Sequence, residues 1–455
     1  MKTSKHALDL TQGAIGKMLF LFFIPIAAGN LFQQLYNTAD ALIIARFVGR
    51  EALAAVGGSP SQVINVLLGF FIALSGGAGV VIAQAYGSGD AKRIEHAANT
   101  AILLSIVLGA AAMVIGYFVT PWVLRMMKTP EDTLEGAITY LRIYFCGMIF
   151  NMLYNMGSGI LRAVGDSKRP LYVLVVCCIA NIVLDVVFVA LLGMGVAGVA
   201  LATILSQFIS AVIVMYFLCS TRDSYRVNLR KLRFNSGALR RTMQIGVPSA
   251  LQSSMYNVSN LIIQVALNPL GTVVVASWSM SGKIDGVYWA ISSALGTAIM
   301  SFVGQNYGAK KSDRIRKSAR LGMIISLAVT AVLSAAILLF GQFGIHLLID
   351  DADVQECTWL ILTYFVPYYL LWTVIEVLSG VLRGMGDTLV PVIITAVGIC
   401  VFRLAWIAAI FPHFHTLKGL SMCYPASWVV TAAAMLVYYF GKRKKMTAEP
   451  ETAKN

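Results

Sequence analysis

At 455 residues, 58% hydrophobic and only 12% charged, with a mean hydropathy of +0.76, the chain carries more apolar surface than a water-soluble fold of this length can bury. That excludes soluble enzymes and soluble binding modules and points to a multi-pass membrane protein. The formal net charge of +14 then reads as basic residues gathered in cytoplasmic loops rather than as a nucleic-acid partner.

The N-terminal MKTSKHALDLTQGAIGK is polar and lacks the apolar core of a cleaved signal peptide, so the first membrane helix is expected to serve as its own targeting signal. Apolar stretches long enough to span follow at 18–47, 53–84, 97–120, 136–161, 170–192, 196–219, 240–268, 272–303, 319–341, 357–382, 391–411 and 418–441. They predict an all-α polytopic membrane protein with twelve transmembrane helices. Placing both termini in the cytoplasm puts nearly all Lys and Arg inside, leaving Arg46, Arg50, Arg125, Lys128 and Lys418 outside and Arg142, Lys283 and Arg403 within spans. The predicted location is the inner (plasma) membrane. Seven cysteines, nearly all in apolar runs, show neither zinc spacing nor a disulfide framework.

The chain repeats itself. QAYGSGDAKRI at 84–94 matches QNYGAKKSDRI at 305–315, and SGILRAVGD at 158–166 matches SGVLRGMGD at 379–387, each 221 residues apart. Two pseudo-symmetric six-helix lobes follow, with the same topology because six is even. The expected organisation is an N-lobe at 1–218, a basic cytoplasmic linker at 219–239, a C-lobe at 240–441 and a cytoplasmic tail at 442–455. The linker is expected to lie at the membrane surface against anionic lipid. Paired lobes with polar residues between them are the usual build of an alternating-access transporter.

The candidate functional residues are the charges that lie inside apolar helices. Asp40 sits six residues before Arg46, about 9 Å below that surface, and Asp185 eight residues before Gly193, about 12 Å deep. Asn181 precedes Asp185 by one turn, and Thr203 on the next span falls at a similar depth. Ionisable groups at membrane depth are costly and mark functional sites. Two carboxylates at one level, with oxygen ligands beside them, could take up a proton or Na⁺. The second half has Asn260 where the first has Asp40, and carries Lys283, Asp285, Glu376 and Arg403, read as a second-lobe charged network with an Asp285–Arg403 ion pair. Gln33, Tyr36, Asn37, Asn151, Asn155, Tyr256 and Asn257 are candidates to line a substrate cavity. His413 and His415 form a lone H-x-H, a weak metal signal. No Walker A, H-E-x-x-H or nucleophile elbow is present. The expectation is therefore no enzyme activity, no cofactor and no metal beyond a possible Na⁺.

With these residues assembled, the chain resembles the multidrug and toxin extrusion (MATE) family. The resemblance covers the whole chain: twelve spans, two homologous lobes, the LRxxGD turn after spans four and ten, and QxYG after spans two and eight. It extends to the branch with an acid on span one, Asn and Asp on span five and Thr on span six, here Asp40, Asn181, Asp185 and Thr203. It implies a secondary active antiporter that exports amphipathic, often cationic organic compounds through a V-shaped cleft in exchange for H⁺ or Na⁺, and so contributes to drug resistance. It also implies that Gln33 and Tyr36 line the drug chamber. The Glu that another branch carries on span seven is absent from LQSSMYNVSN at 251–260. The alternative is a lipid-linked oligosaccharide flippase of a related fold. Expected partners are small organic molecules and membrane lipids, with the chain acting as a monomer.

Overall fold

The computed structural model describes residues 8–445, and among them there is no strand. The residues 1–7 and 446–455, including most of the expected C-terminal tail, lie outside the described residues. The chain divides into two compact units. One takes the described part of Met1–Asp9 and Phe22–Ala250, the other Leu10–Leu21 and the described part of Leu251–Asn455.

The first unit is built from α1 (Ile15–Phe47) from Phe22 onward, α2 (Arg50–Gly57), α3 (Ser59–Ser88), α4 (Ala91–Met126), α5 (Glu131–Cys146), α6 (Met148–Ala163), α7 (Lys168–Asp185), α8 (Gly195–Ser220) and the start of α9 (Ser236–Leu267). The second continues with the rest of α9, α10 (Thr272–Gly308), α11 (Ser312–Leu348), α12 (Ala352–Phe365), α13 (Tyr369–Gly384), α14 (Leu389–Thr395), α15 (Phe402–Ala409), α16 (Leu417–Ser421) and α17 (Cys423–Lys445). Among the described residues, ten helical stretches are long and apolar enough to cross a membrane, and an eleventh is the α5–α6 pair, bent by 50°. The twelfth span expected from sequence is α9. It has the length, 32 residues, or about 48 Å, but carries Gln252, Ser253, Ser254, Asn257, Ser259 and Asn260 along one stretch.

The expected span 136–161 is thus two helices hinged at Gly147, where an added Cβ would come within 2.6 Å of Ile204. Small residues set the packing elsewhere. A Cβ on Gly77 of α3 would lie 2.4 Å from Gly246 Cα of α9, so these backbones touch. That contact holds the start of α9 in the first unit. The division therefore falls at Ala250/Leu251, eleven residues beyond the boundary at 239/240 expected from the basic linker. The linker itself packs on the first unit: Tyr225 is fully buried, and the Asn235 amide donates to Thr100 Oγ1 at 3.0 Å. Burial pushes the Tyr225 phenol up from its ordinary pKa.

The 221-residue repeat appears as equivalent geometry. Gly165 and Gly386 both adopt positive φ, +94° and +85°. Each is followed by an aspartate. Asp166 Oδ1 caps α7 through the amides of Lys168 and Arg169, at 3.2 and 3.1 Å, whereas Asp387 takes the Tyr438 hydroxyl at 2.7 Å and the Lys442 ammonium. Gly89 and Lys310 are also equivalent, with φ of +73° and +56°.

Candidate functional site

In the first unit, α1 and α7 bring Asp40 to Asn181 and Asp185. Oriented by its surroundings, the Asn181 amide donates to Asp40 Oδ1 at 2.6 Å and to Asp185 Oδ2 at 3.2 Å. One amide group therefore bridges two carboxylates from separate helices. Asn181 and Asp185 are both 0% exposed. The Asp40 and Asp185 carboxyls are also within hydrogen-bonding reach of each other. Asp185 Oδ1 receives no hydrogen bond from the described residues. A buried carboxylate oxygen without a donor is costly, and it favours capture of a proton or a small cation.

Around this centre, the Tyr36 hydroxyl lies within hydrogen-bonding reach of Asp40, and Tyr140 on α5 lies within electrostatic reach of both acids. Tyr140 was not legible in sequence, because LEGAITYLRIYF reads as an ordinary amphipathic aromatic face. Thr203 is buried, but its hydroxyl donates to Val199 O at 2.9 Å within α8 and bonds neither acid. Immediately after Asp185 the chain winds into a π-helix over Val186–Leu191. The second unit has a π-helix at Ala396–Val401, ending two residues before Arg403. Such turns tend to occur at functional sites, because the extra residue re-aims neighbouring side chains.

The expected cavity residues separate. Gln33 and Asn37 are exposed on α1. Asn155 Nδ2 donates to Asn151 Oδ1 at 2.9 Å, one turn away on α6. Asn257 Nδ2 bonds Ser253 O within α9. Tyr256 lines a cavity of about 380 Å³ that lies wholly in the second unit, with Asp285, Trp289, Trp372, Arg403 and Trp428.

The second-lobe charges do not form one network. Asp285 accepts the Tyr369 hydroxyl, and Arg403 stacks its guanidinium 3.8 Å from the Tyr424 ring while Nε donates to Ser427 at 3.2 Å. The expected Asp285–Arg403 ion pair is therefore not made; each charge has an aromatic partner of its own. Lys283 is exposed, and Glu376 packs on Gly296 within electrostatic reach of Arg383. A polar hub missed in sequence is Gln252, which accepts Arg383 Nη2 at 2.5 Å and donates to Thr395 and, at 3.1 Å, to the Tyr256 hydroxyl. His413 and His415 are exposed, and no group of three metal-ligating side chains occurs among the described residues.

The MatE family model matches residues 25–187 and again 248–407, once in each half. The chain is 31% identical over 441 residues to the probable multidrug resistance protein YpnP of Bacillus subtilis, covering 97% of this chain and 98% of that one. It is 27% identical to the probable multidrug resistance protein NorM of Thermotoga maritima, covering 86% and 84%. Among solved structures, it is similar to an outward-facing multidrug resistance MATE family transporter of the MOP superfamily. The TM-score is 0.89 at 25% identity, over 99% of this chain and 100% of that one.

Proposed function

Because the chain belongs to the MatE family of membrane transporters, we propose that it is a cation-coupled multidrug exporter whose coupling site is Asp40, Asn181 and Asp185, with Thr203 beside them. The chain is a multi-pass membrane protein of the cell membrane, and its family transports in exchange for ions. The exported compounds are amphipathic and often cationic organic molecules, in keeping with relatives named for drug resistance that the chain matches over 84–98% of their length. Those names favour export over lipid-linked oligosaccharide flipping.

One observation carries the assignment: Asn181 joins two carboxylates from α1 and α7, with Asn181 and Asp185 fully buried, Asp40 partly exposed, and Asp185 Oδ1 left without a donor among the described residues. Two like charges at that separation in low dielectric repel each other. A proton or Na⁺ entering between them removes the repulsion and draws α1 toward α7. Loss of the cation reverses this and frees α1. Pro25, inside α1, has no N–H to offer the Leu21 carbonyl, so the helix has a soft point there. Antiport follows when drug and cation bias this element in opposite directions. The reading places both termini and the basic linker on the cytoplasmic side.

The test is efflux of a fluorescent organic cation from vesicles under an imposed pH gradient and then a Na⁺ gradient. Asp40→Asn is expected to abolish gradient-driven efflux while leaving expression and melting temperature unchanged. Full efflux by this variant would remove Asp40 from the coupling step.

A further inference from the structure

The second unit contains a cavity of about 380 Å³, within the range of about 300–1,000 Å³ typical of small-molecule sites. Its walls are indoles and phenols in mutual contact: Trp289 meets Trp372 edge-on at 5.0 Å, and Trp428 meets Trp372 at 6.1 Å and Tyr424 at 6.0 Å. Two buried charges of opposite sign line the same space, Asp285 at 6% and Arg403 at 4% exposure.

These charges are held by the protein but not consumed by it. Asp285 accepts one hydrogen bond, from Tyr369 to Oδ1, and Oδ2 accepts none from the described residues. Arg403 donates only through Nε, to Ser427, and its plane is fixed on the Tyr424 ring, so Nη1 and Nη2 have no acceptor among the described residues. A buried guanidinium with free donors calls for an anionic acceptor, and a buried carboxylate with a free oxygen calls for a cationic donor. Here no ion pair joins the two, and both line the one aromatic cavity.

We propose that this cavity is a binding site for aromatic zwitterions: the ring system packs against the wall that Trp289, Trp372 and Trp428 form together, a carboxylate bonds the two Nη groups of Arg403, and an ammonium bonds Asp285 Oδ2. The aromatic walls add attraction for the cationic end. The single-charge analogue of either sign leaves one buried protein charge unmatched, so selectivity for the zwitterion follows from that unmatched group rather than from added contacts.

The experiment uses three probes that share one ring: 2-naphthylalanine (zwitterion), 2-(2-naphthyl)ethylamine (cation) and 3-(2-naphthyl)propionate (anion). Each is equilibrated by dialysis with the purified full chain in lipid nanodiscs, against empty nanodiscs as blank. Saturable binding of naphthylalanine at least tenfold tighter than either analogue is expected. In Arg403→Gln the zwitterion loses its advantage over the amine; in Asp285→Asn it loses its advantage over the propionate. Arg403→Lys, which keeps the charge, restores part of the preference. Equal affinity for all three probes in the wild-type chain, or no saturable naphthylalanine binding, overturns the proposal without recourse to any variant. So do variants with unchanged melting temperature and unchanged preferences. The assay uses no ion gradient, so its outcome is independent of the coupling role assigned to Asp40.

Discussion

Gly165 shows how much a single backbone position can carry. Its φ of +94° is outside the range that L side chains tolerate, and a Cβ there would meet Leu8 O at 2.2 Å. The Gly165 carbonyl in turn anchors Leu8, whose amide donates to Gly165 O at 3.0 Å. Gly165→Ala is expected to lower stability by about 2 kcal/mol or more from conformation and clash together, read as a drop in melting temperature. Gly89→Ala is the control, with positive φ but open space around the position, and should cost about 1 kcal/mol. Equal melting temperatures for the two variants would show that the Leu8 contact contributes nothing. Residue identity was legible in sequence at this scale: the GD pair at 165–166 and 386–387 stood out as a repeat. The partners were not, since Asp166 caps a helix and Asp387 binds side chains from α17.

At the scale of elements, α1 and α9 are the two helices that the division into units cuts, at Leu21/Phe22 and at Ala250/Leu251. Each carries an internal proline nearby, Pro25 and Pro248, and the two halves of the family match begin at these prolines. A proline removes one backbone hydrogen bond and so weakens the helix at that turn. The segment before α1 is held in the second unit by Arg314, whose Nη1 donates to Gly13 O at 2.8 Å and whose Nη2 donates to Leu10 O and Gln12 O at 3.1 and 3.0 Å. Asn306 and Lys311 add bonds to Leu10 O and Thr11 O. Arg314→Ala is expected to raise amide hydrogen exchange across residues 10–14 by tenfold or more while exchange in the core of α10 stays as in the wild type. Unchanged protection of that segment would mean that the arginine is dispensable for docking. The motif containing Arg314 was read from sequence as a repeat of 84–94; that its arginine captures the N-terminal segment depends on contacts some three hundred residues apart in the chain.

At the scale of the whole molecule, the strong bias of Lys and Arg to one set of loops is the ground for the proposed topology with both termini inside. In a background lacking the native cysteines, Lys418→Cys should react with a membrane-impermeant maleimide in intact cells, and Ser88→Cys only after permeabilisation. The reverse pattern would invert the proposed orientation. The amino-acid sequence by itself determined the membrane class, the helical fold, the two-fold repeat and the identity of the buried acids. All of these are written in hydropathy, charge and spacing along one dimension. Only the tertiary structure decided that Asn181 bridges Asp40 and Asp185, that Tyr140 stands beside them, and that Asp285 and Arg403 face an aromatic cavity instead of each other. Depth in a helix can be counted from its ends. The direction a side chain faces depends on helix rotation, on π-turns and on glycine contacts such as Gly77 with Gly246, which exist only once the helices are packed.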